Sequence, residues 1–281
     1  MKNKMTVPAI QARKHGSKLT MVTAYDTPMA QIVDQAGIDM ILVGDSLATT
    51  MLGYQDTLPV TIDIMLHHTA AVARAQPQAL VVADMPWLSY HISREETVRN
   101  AGRLIREGHA GAVKLEGGRK RLPMIEALLD AEIPVMGHLG LTPQSVNTMG
   151  GYRVQGKDLE AAKACIEDAR VLAQTGMFAL VLEGIPDIVA EIITSEIAIP
   201  TIGIGAGNAC DGQVLVFHDL LGFSTNNHLP RFVRQYAHLA DDALAALQHY
   251  KQDVQNQTFP ATKETYHTND EVAQHLREYY K

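Results

Sequence analysis

Eight short apolar runs constrain this chain more than any other feature: residues 19–24, 40–43, 80–83, 112–115, 133–137, 178–182, 201–204 and 214–217. They are rich in Val, Ile and Leu, and Gly, Asp and Pro punctuate their ends. The runs are near-continuously apolar instead of alternating, so both faces of each strand should be covered, as in a parallel sheet wrapped by helices. The segments between them must then be crossovers. Residues 62–75 place Ile62, Met65, Leu66, Thr69, Ala70, Val72 and Ala73 on a 3.6-residue period behind the N-cap candidate Thr61. Residues 94–107 follow Ser93 as a second capped helix, and residues 158–174 form a third, closed by Gly176. Residues 186–194 and 230–249, each opening on Pro, supply two more.

Strands alternating with helices in this way imply an α/β fold, a single (β/α)8 TIM-type barrel over residues 1–250. Residues 251–281 turn polar and read as a C-terminal extension, in which 271–279 could form a short helix against a neighbouring subunit. A doubly wound open sheet is the rival, because counting strands does not prove closure. Residues 139–156, with several glycines and Pro143, are too long and polar for a tight turn and read as an ordered functional loop or lid.

Composition narrows the partners. The 281 residues carry 24 basic against 31 acidic side chains, a net charge of −7, and the longest basic block is Arg119-Lys120-Arg121, so nucleic acid is not an expected partner. Cys165 and Cys210 form no CxxC pair, which argues against a disulfide framework or a thiolate zinc site. Lys2, Lys4, Arg13, Lys14 and Lys18 interrupt the first twenty residues, and no apolar stretch is long enough for a membrane span. A cytoplasmic protein is expected.

In a parallel barrel, active sites gather just past the C-terminal ends of the strands. Those positions hold Asp45, Ser46, Asp84, Lys114, Glu116, His138 and Glu183. Asp45, Asp84 and Glu116 come from consecutive strands about 4.8 Å apart, close enough for like charges to repel. An oxygen-only set of this kind suits Mg²⁺ better than zinc. Each Asp could instead cap the helix that follows it. Glu183 ends a wholly apolar run, where partial desolvation would raise its pKa and make it a better base. A base facing a metal suggests enolate chemistry on a 2-oxo acid, with Lys114 either binding the substrate carboxylate or merely pairing with Glu116 or Asp84. His138 reads equally as a substrate hydrogen-bond donor or a structural histidine. His67 and His68 default to solvated surface, and Trp87 to rim packing. Gly203-Ile-Gly-Ala-Gly207 is a weak dinucleotide signal, since Asn208 stands in place of the third glycine; a tight turn leaving space for a bulky ligand explains it as well.

Several longer strings together resemble the ketopantoate hydroxymethyltransferase family: TAYDTPMA from Thr23, ILVGDSLATTMLGY from Ile41, LPVT from Leu58, VVADMPWLSY from Val81, VKLEGG from Val113, HLGLTPQSVNTMGGYRVQGK from His138, LVLEGIP from Leu180, IGIGAG from Ile202 and QVLVFHDLLGF from Gln213. They run in family order from about residue 20 to 240, with no match placed beyond about residue 250. Gln55 precedes Asp56 where family members often carry Asp directly after Gly-Tyr. The resemblance implies a barrel enzyme of pantothenate (coenzyme A) biosynthesis. It would move a one-carbon unit from 5,10-methylenetetrahydrofolate to 2-oxoisovalerate (3-methyl-2-oxobutanoate) through a Mg-stabilised enolate, giving ketopantoate. It implies Asp45, Asp84 and Glu116 as metal ligands, Ser46 and Lys114 at the substrate, Glu183 as the base, and a homo-oligomer, a decamer in the family; Asp45, Asp84 and His138 are also expected to touch the substrate. The nearest alternative is a Mg²⁺-dependent carbon–carbon lyase or phosphoenolpyruvate mutase-like barrel. It should need a Cys in a mouth loop, and no such motif surrounds Cys210.

Overall fold

In the computed structural model, which describes residues 4–223 and 229–281, the apolar runs become eight parallel strands. They are β1 (Leu19–Thr23), β2 (Met40–Val43), β3 (Leu80–Asp84), β4 (Ala112–Lys114), β5 (Val135–Gly140), β6 (Ala179–Glu183), β7 (Thr201–Ile204) and β8 (Gly212–Leu215). Each strand pairs with the next, and β8 returns to β1 with Gly212 opposite Leu19 and Leu215 opposite Val22. The sheet is a closed (β/α)8 barrel, which excludes the open, doubly wound alternative.

The two-residue pleat sorts the side chains. Leu19 and Met21, Met40 and Leu42, Leu80 and Val82, and Ala179 and Val181 fill the barrel interior with Ala112, Met136, Ile202 and Val214. Their neighbours Val22, Ile41, Val43, Val81, Val113 and Leu180 pack outward in the core shared with the helices. Burial on both faces is why the runs carry no polar alternation. Continuing each interior row upward reaches Asp84 from Val82, Lys114 from Ala112, His138 from Met136 and Glu183 from Val181. The pleat that packs hydrocarbon below therefore aims ionisable groups into the mouth above.

The helix Val7–Gln11 lies at the other end, with Ile10 buried in the interior cluster. Two latches hold the segment that follows it: Arg13 to Asp39 at 2.6 Å and Lys14 to Asp211 at 2.8 Å. Asp211 also accepts from the Thr201 backbone N–H at 2.8 Å, tying the starts of β7 and β8 together.

The helices Ile62–Ala73, Arg94–Arg106 and Leu159–Ala173 start behind Thr61, Ser93 and Asp158, whose side chains accept from Ile64, Glu96 and Ala161 N–H groups. Asp187–Glu196 follows Pro186. Two helices that periodicity did not single out, Thr27–Gln35 and Leu122–Asp130, carry Pro in their first turns. Two expectations need correction. The connection from β7 to β8, residues 205–211, holds no helix and turns on Gly205 and Gly207 at φ +61° and +78°. A Cβ on Gly205 would stand 2.7 Å from the Phe232 ring and one on Gly207 2.7 Å from Asp187 Cβ, so the chain's own side chains lie against both glycines. The helix expected from residue 230 begins only at Leu239 and runs as Leu239–Gln255, because the Tyr236 and Leu239 N–H groups donate to the Leu220 and Leu221 carbonyls at 2.8 and 3.1 Å instead of to a helical turn. It buries none of its residues, and Leu244, Leu247, Tyr250 and Val254 are exposed along it. The last helix, Asp270–Tyr279, likewise buries none. Among the described residues no helix is long and apolar enough to cross a membrane.

Candidate active site

Asp45, Ser46, Asp84, Lys114, Glu116, His138 and Glu183 line one cavity of about 100 Å³ at the C-terminal mouth of the barrel. All seven positions singled out from the strand ends thus come together. The cavity floor is aliphatic, with Leu42, Val181, Ile204 and Val214 closing it from below.

The ionisable groups form one connected set. Lys114 Nζ lies 2.9 Å from Asp84 Oδ1 and 3.3 Å from His138 Nδ1. His138 in turn stands between two carboxylates, with Nδ1 3.4 Å from Glu116 and Nε2 3.2 Å from Glu183. The Asp45 backbone N–H donates to Asp84 Oδ2 at 3.0 Å, which brings the β2 loop against the end of β3. Gly44 makes that approach possible: a Cβ there would stand 2.8 Å from Ser46 Oγ and 3.5 Å from Asp84 Oδ2. Ser46 Oγ shares a 2.8 Å hydrogen bond with the buried Tyr25 hydroxyl.

Burial and crowding set the charges. Burial pushes the Asp45 carboxyl well above the ordinary carboxylate range, and the charges of Asp84 and Glu116 push it further. Burial raises Asp84 too, against the pull of Lys114. Glu116 moves the other way, since its hydrogen bond to His138 and the charges of His138 and Lys114 outweigh its burial and hold it low. For Lys114, burial disfavours the ammonium, but Asp84, Glu116 and Asp45 overcome it and raise the pKa. For His138, burial and Lys114 oppose protonation, yet Glu116 and Glu183 win and lift it to about 9.

This donor set suits a hard divalent cation. Three buried carboxylates face Lys114 and His138, and Asp84 Oδ1, although beside Lys114, has no partner in hydrogen-bond alignment. The carboxylate oxygens are nonetheless drawn toward their protein partners, and among the described residues no three His, Cys, Asp or Glu side chains already stand in metal-holding geometry.

The strongest organiser of the site was not legible at the strand ends. Gln144 is buried and makes four contacts: Nε2 donates to Asp45 Oδ2 at 2.8 Å and to the Met85 carbonyl at 3.0 Å, its backbone N–H donates to Glu116 at 3.1 Å, and its Oε1 accepts from the Tyr90 hydroxyl at 2.6 Å. Tyr90 also accepts from the Glu116 backbone N–H at 3.2 Å. Gln144 belongs to the segment read as a loop or lid. Its first part, the 3₁₀ turn Pro143–Ser145, is an ordered clamp built on the buried Gln144, while Tyr152 and Val154 further along are exposed. The glutamine's place in the long string from His138 was the available signal.

Three other positions fall into place. His67 is exposed as expected, but His68 is partly buried with Nδ1 2.8 Å from the Tyr25 carbonyl, a structural bond that corrects the surface assignment. Cys210 is buried next to Asp211 where β8 begins, at the end of the barrel away from the mouth. Trp87 is 40% exposed on the rim.

A closed parallel barrel whose mouth gathers ionisable side chains from the ends of β2 through β6 defines the class, a (β/α)8-barrel enzyme. The solved 2,3-dimethylmalate lyase, a PEP mutase/isocitrate lyase superfamily member, shares that fold: TM-score 0.59 at 16% identity, covering 95% of this chain and 89% of that one. Sequence is more discriminating. The chain belongs to the ketopantoate hydroxymethyltransferase family, whose model matches residues 4–262. The match runs past residue 250, where the string-by-string resemblance had stopped. The 3-methyl-2-oxobutanoate hydroxymethyltransferase of Syntrophomonas wolfei subsp. wolfei is 54% identical over 264 residues, 94% of this chain and 95% of its own. That of Clostridium botulinum is 52% identical over 277 residues, 98% of this chain and all of its own.

Proposed function

We propose that this chain transfers a one-carbon unit from a methylenetetrahydrofolate to 3-methyl-2-oxobutanoate, giving ketopantoate on the way to pantothenate. One observation carries the reading: a small cavity walled by carboxylates and Lys114 on one side and by aliphatic side chains below, with Glu183 across from Asp45 and Asp84. A short branched oxo acid has that division, a charged and chelating end and a hydrocarbon end.

Asp45, Asp84 and Glu116 are the residues that would hold Mg²⁺. When bound, the ion supplies Lewis-acid stabilisation of charge developing on the keto oxygen. Lys114, kept charged by its carboxylate neighbours, binds the substrate carboxylate, and Ser46 Oγ, already oriented by Tyr25, offers it a further hydrogen bond. Leu42, Val181 and Val214 receive the two methyl groups and exclude water from C3. Glu183 takes the C3 proton, and His138, whose Nε2 lies 3.2 Å away outside hydrogen-bond alignment, faces that carboxylate as its ion-pair partner. The C3 electron pair and the oxygen of one water each form a bond to the donor's methylene carbon, in turn, while both of its carbon–nitrogen bonds break; the C3 proton and one water proton end on the two nitrogens, and tetrahydrofolate leaves.

The unpartnered helix Leu239–Gln255 also supports a homo-oligomer, in keeping with the decamer that the family resemblance implies. A cytoplasmic location is consistent with the biosynthetic role.

NMR of the oxo acid in D₂O with Mg²⁺ tests the reading. The C3 proton signal should vanish with the wild-type enzyme and persist with Glu183→Gln. Adding methylenetetrahydrofolate should then raise a hydroxymethyl resonance. Undiminished exchange by Glu183→Gln would remove Glu183 as the base.

A further inference from the structure

Among the described residues, five carry a buried side-chain nitrogen or oxygen with no hydrogen-bond partner, and three of the five, Thr57, Asp84 and His138, line the cavity at the barrel mouth. Unmatched polar atoms gather where the oxo acid is to sit. Asp84 and His138 at least have charged neighbours, at 2.9 and 3.2 Å. Thr57 Oγ1 makes no hydrogen bond, and none of the chemistry derived above uses it.

Five other buried threonines are treated differently. Thr69 and Thr97 donate to the carbonyls four residues back, Thr23 accepts from the Phe217 N–H at 3.0 Å, and Thr194 and Thr201 bond to each other at 2.8 Å. Each of those hydroxyls is satisfied inside the protein, as burial demands. The backbone around Thr57 is just as firmly held: its carbonyl accepts from the Val60 N–H at 3.2 Å, and the Leu58 N–H donates to Asp56 Oδ1 at 3.0 Å. The residue is 4% exposed and fixed against the cavity. Valine would fill the same space without desolvating a hydroxyl, so packing does not account for a threonine here. The missing partner belongs to what the cavity receives.

We infer that the Thr57 hydroxyl donates a hydrogen bond to the carboxylate of the bound oxo acid, as a third donor beside Lys114 and Ser46. A carboxylate offers about four acceptor sites. Lys114 Nζ is already shared with Asp84 at 2.9 Å and Ser46 Oγ with Tyr25 at 2.8 Å, so these two side chains leave part of an incoming carboxylate unmatched. Asp84, Glu116 and Glu183 add acceptors to the cavity and, when ionised, no donor. The chain between β2 and β3 then supplies two hydroxyls to one group. The inference rests on the oxo-acid reading above and adds a substrate contact to it.

Calorimetric titration of 3-methyl-2-oxobutanoate with Mg²⁺ into wild type, Thr57→Val and Thr57→Ser tests it, read beside C3-proton exchange and thermal unfolding of the substrate-free proteins. Thr57→Val should raise the oxo-acid Kd about tenfold, as for losing one hydrogen bond to a charged group. Exchange at saturating oxo acid should stay near the wild-type rate, because a contact made equally before and during proton removal sets affinity and not rate. The Tm of Thr57→Val without substrate should equal or exceed that of the wild type, since no protein atom answers the hydroxyl it removes. Thr57→Ser should restore the Kd. An unchanged Kd in Thr57→Val would overturn the contact. So would a lowered Tm, which would make the hydroxyl structural, or weaker Mg²⁺ binding without oxo acid, which would assign the hydroxyl to the ion instead. Failure of the oxo-acid reading itself looks different: the wild type would neither bind the acid nor exchange its C3 proton.

Discussion

Gln144 shows how one neutral side chain can govern a charged site. It holds Asp45 through its amide and Glu116 through its backbone N–H, while Tyr90 fixes the amide from behind. Gln144→Ala would remove a hydrogen-bond partner from the Tyr90 hydroxyl, the Asp45 carboxylate and the Met85 carbonyl, while the backbone N–H bond to Glu116 would stay. Orphaned buried polar groups cost about 1–3 kcal/mol each. We expect urea denaturation to register a loss of about 2 kcal/mol, by that same rule, together with a fall in C3-proton exchange. Wild-type stability in Gln144→Ala would mean that the clamp contributes little. At this scale the sequence exposed Asp84, Lys114, His138 and Glu183 as mouth residues, because interior parity at a strand end aims a side chain into the mouth. It did not expose Gln144, Tyr90 or Tyr25, whose roles arise from contacts made across loops. Tyr90 and Gln144 lie 54 positions apart in the chain, and no local pattern encodes their 2.6 Å bond.

At the level of elements, strands were legible because burial on both faces writes itself as uninterrupted apolar runs, and helices because caps such as Thr61, Ser93 and Asp158 precede them. The missing helix between β7 and β8 was less so, since the glycines that fold residues 205–211 back resemble a ligand loop, and side chains as distant in sequence as Phe232 lie against them. Asp211 at the foot of β8 carries a pH prediction. Burial opposes its ionisation, but hydrogen bonds from Lys14, the Thr201 N–H and the His15 N–H overcome that and hold its pKa below the ordinary carboxylate value. A folded-state pKa lower than the unfolded one gives stability that is fully present above the unfolded value, near pH 4, and is lost as pH falls through the folded value. Asp211→Asn should therefore be less stable than wild type at pH 7, with the gap narrowing below about pH 4. Thermal unfolding across pH measures this, and a gap that stayed constant to pH 2 would contradict the latch. Gly118→Ala is a second test, because its Cβ cannot coexist with Asp168. The β4 loop must shift, and proteolysis near Arg119 should quicken.

For the whole molecule, the barrel mouth carries the candidate site, and the C-terminal helices bury none of their own residues. Leu244, Leu247, Tyr250 and Val254 recur every three or four residues along Leu239–Gln255, giving one apolar stripe that its own barrel leaves uncovered. Such a stripe is costly in water, and a second copy of the chain would cover it. Light scattering should report an oligomer for the wild type and a smaller species for Leu247→Asp. A monomeric wild type would refute the assembly. The central claim, however, concerns the mouth: buried carboxylates of Asp45, Asp84 and Glu116 accept a divalent cation, and the oxo acid binds with it. Calorimetric titration of 3-methyl-2-oxobutanoate into the protein, with Mg²⁺ and then with chelator, tests this most directly. The account predicts saturable binding with Mg²⁺ that disappears with chelator and in Asp84→Ala; equal binding in all three conditions would contradict it.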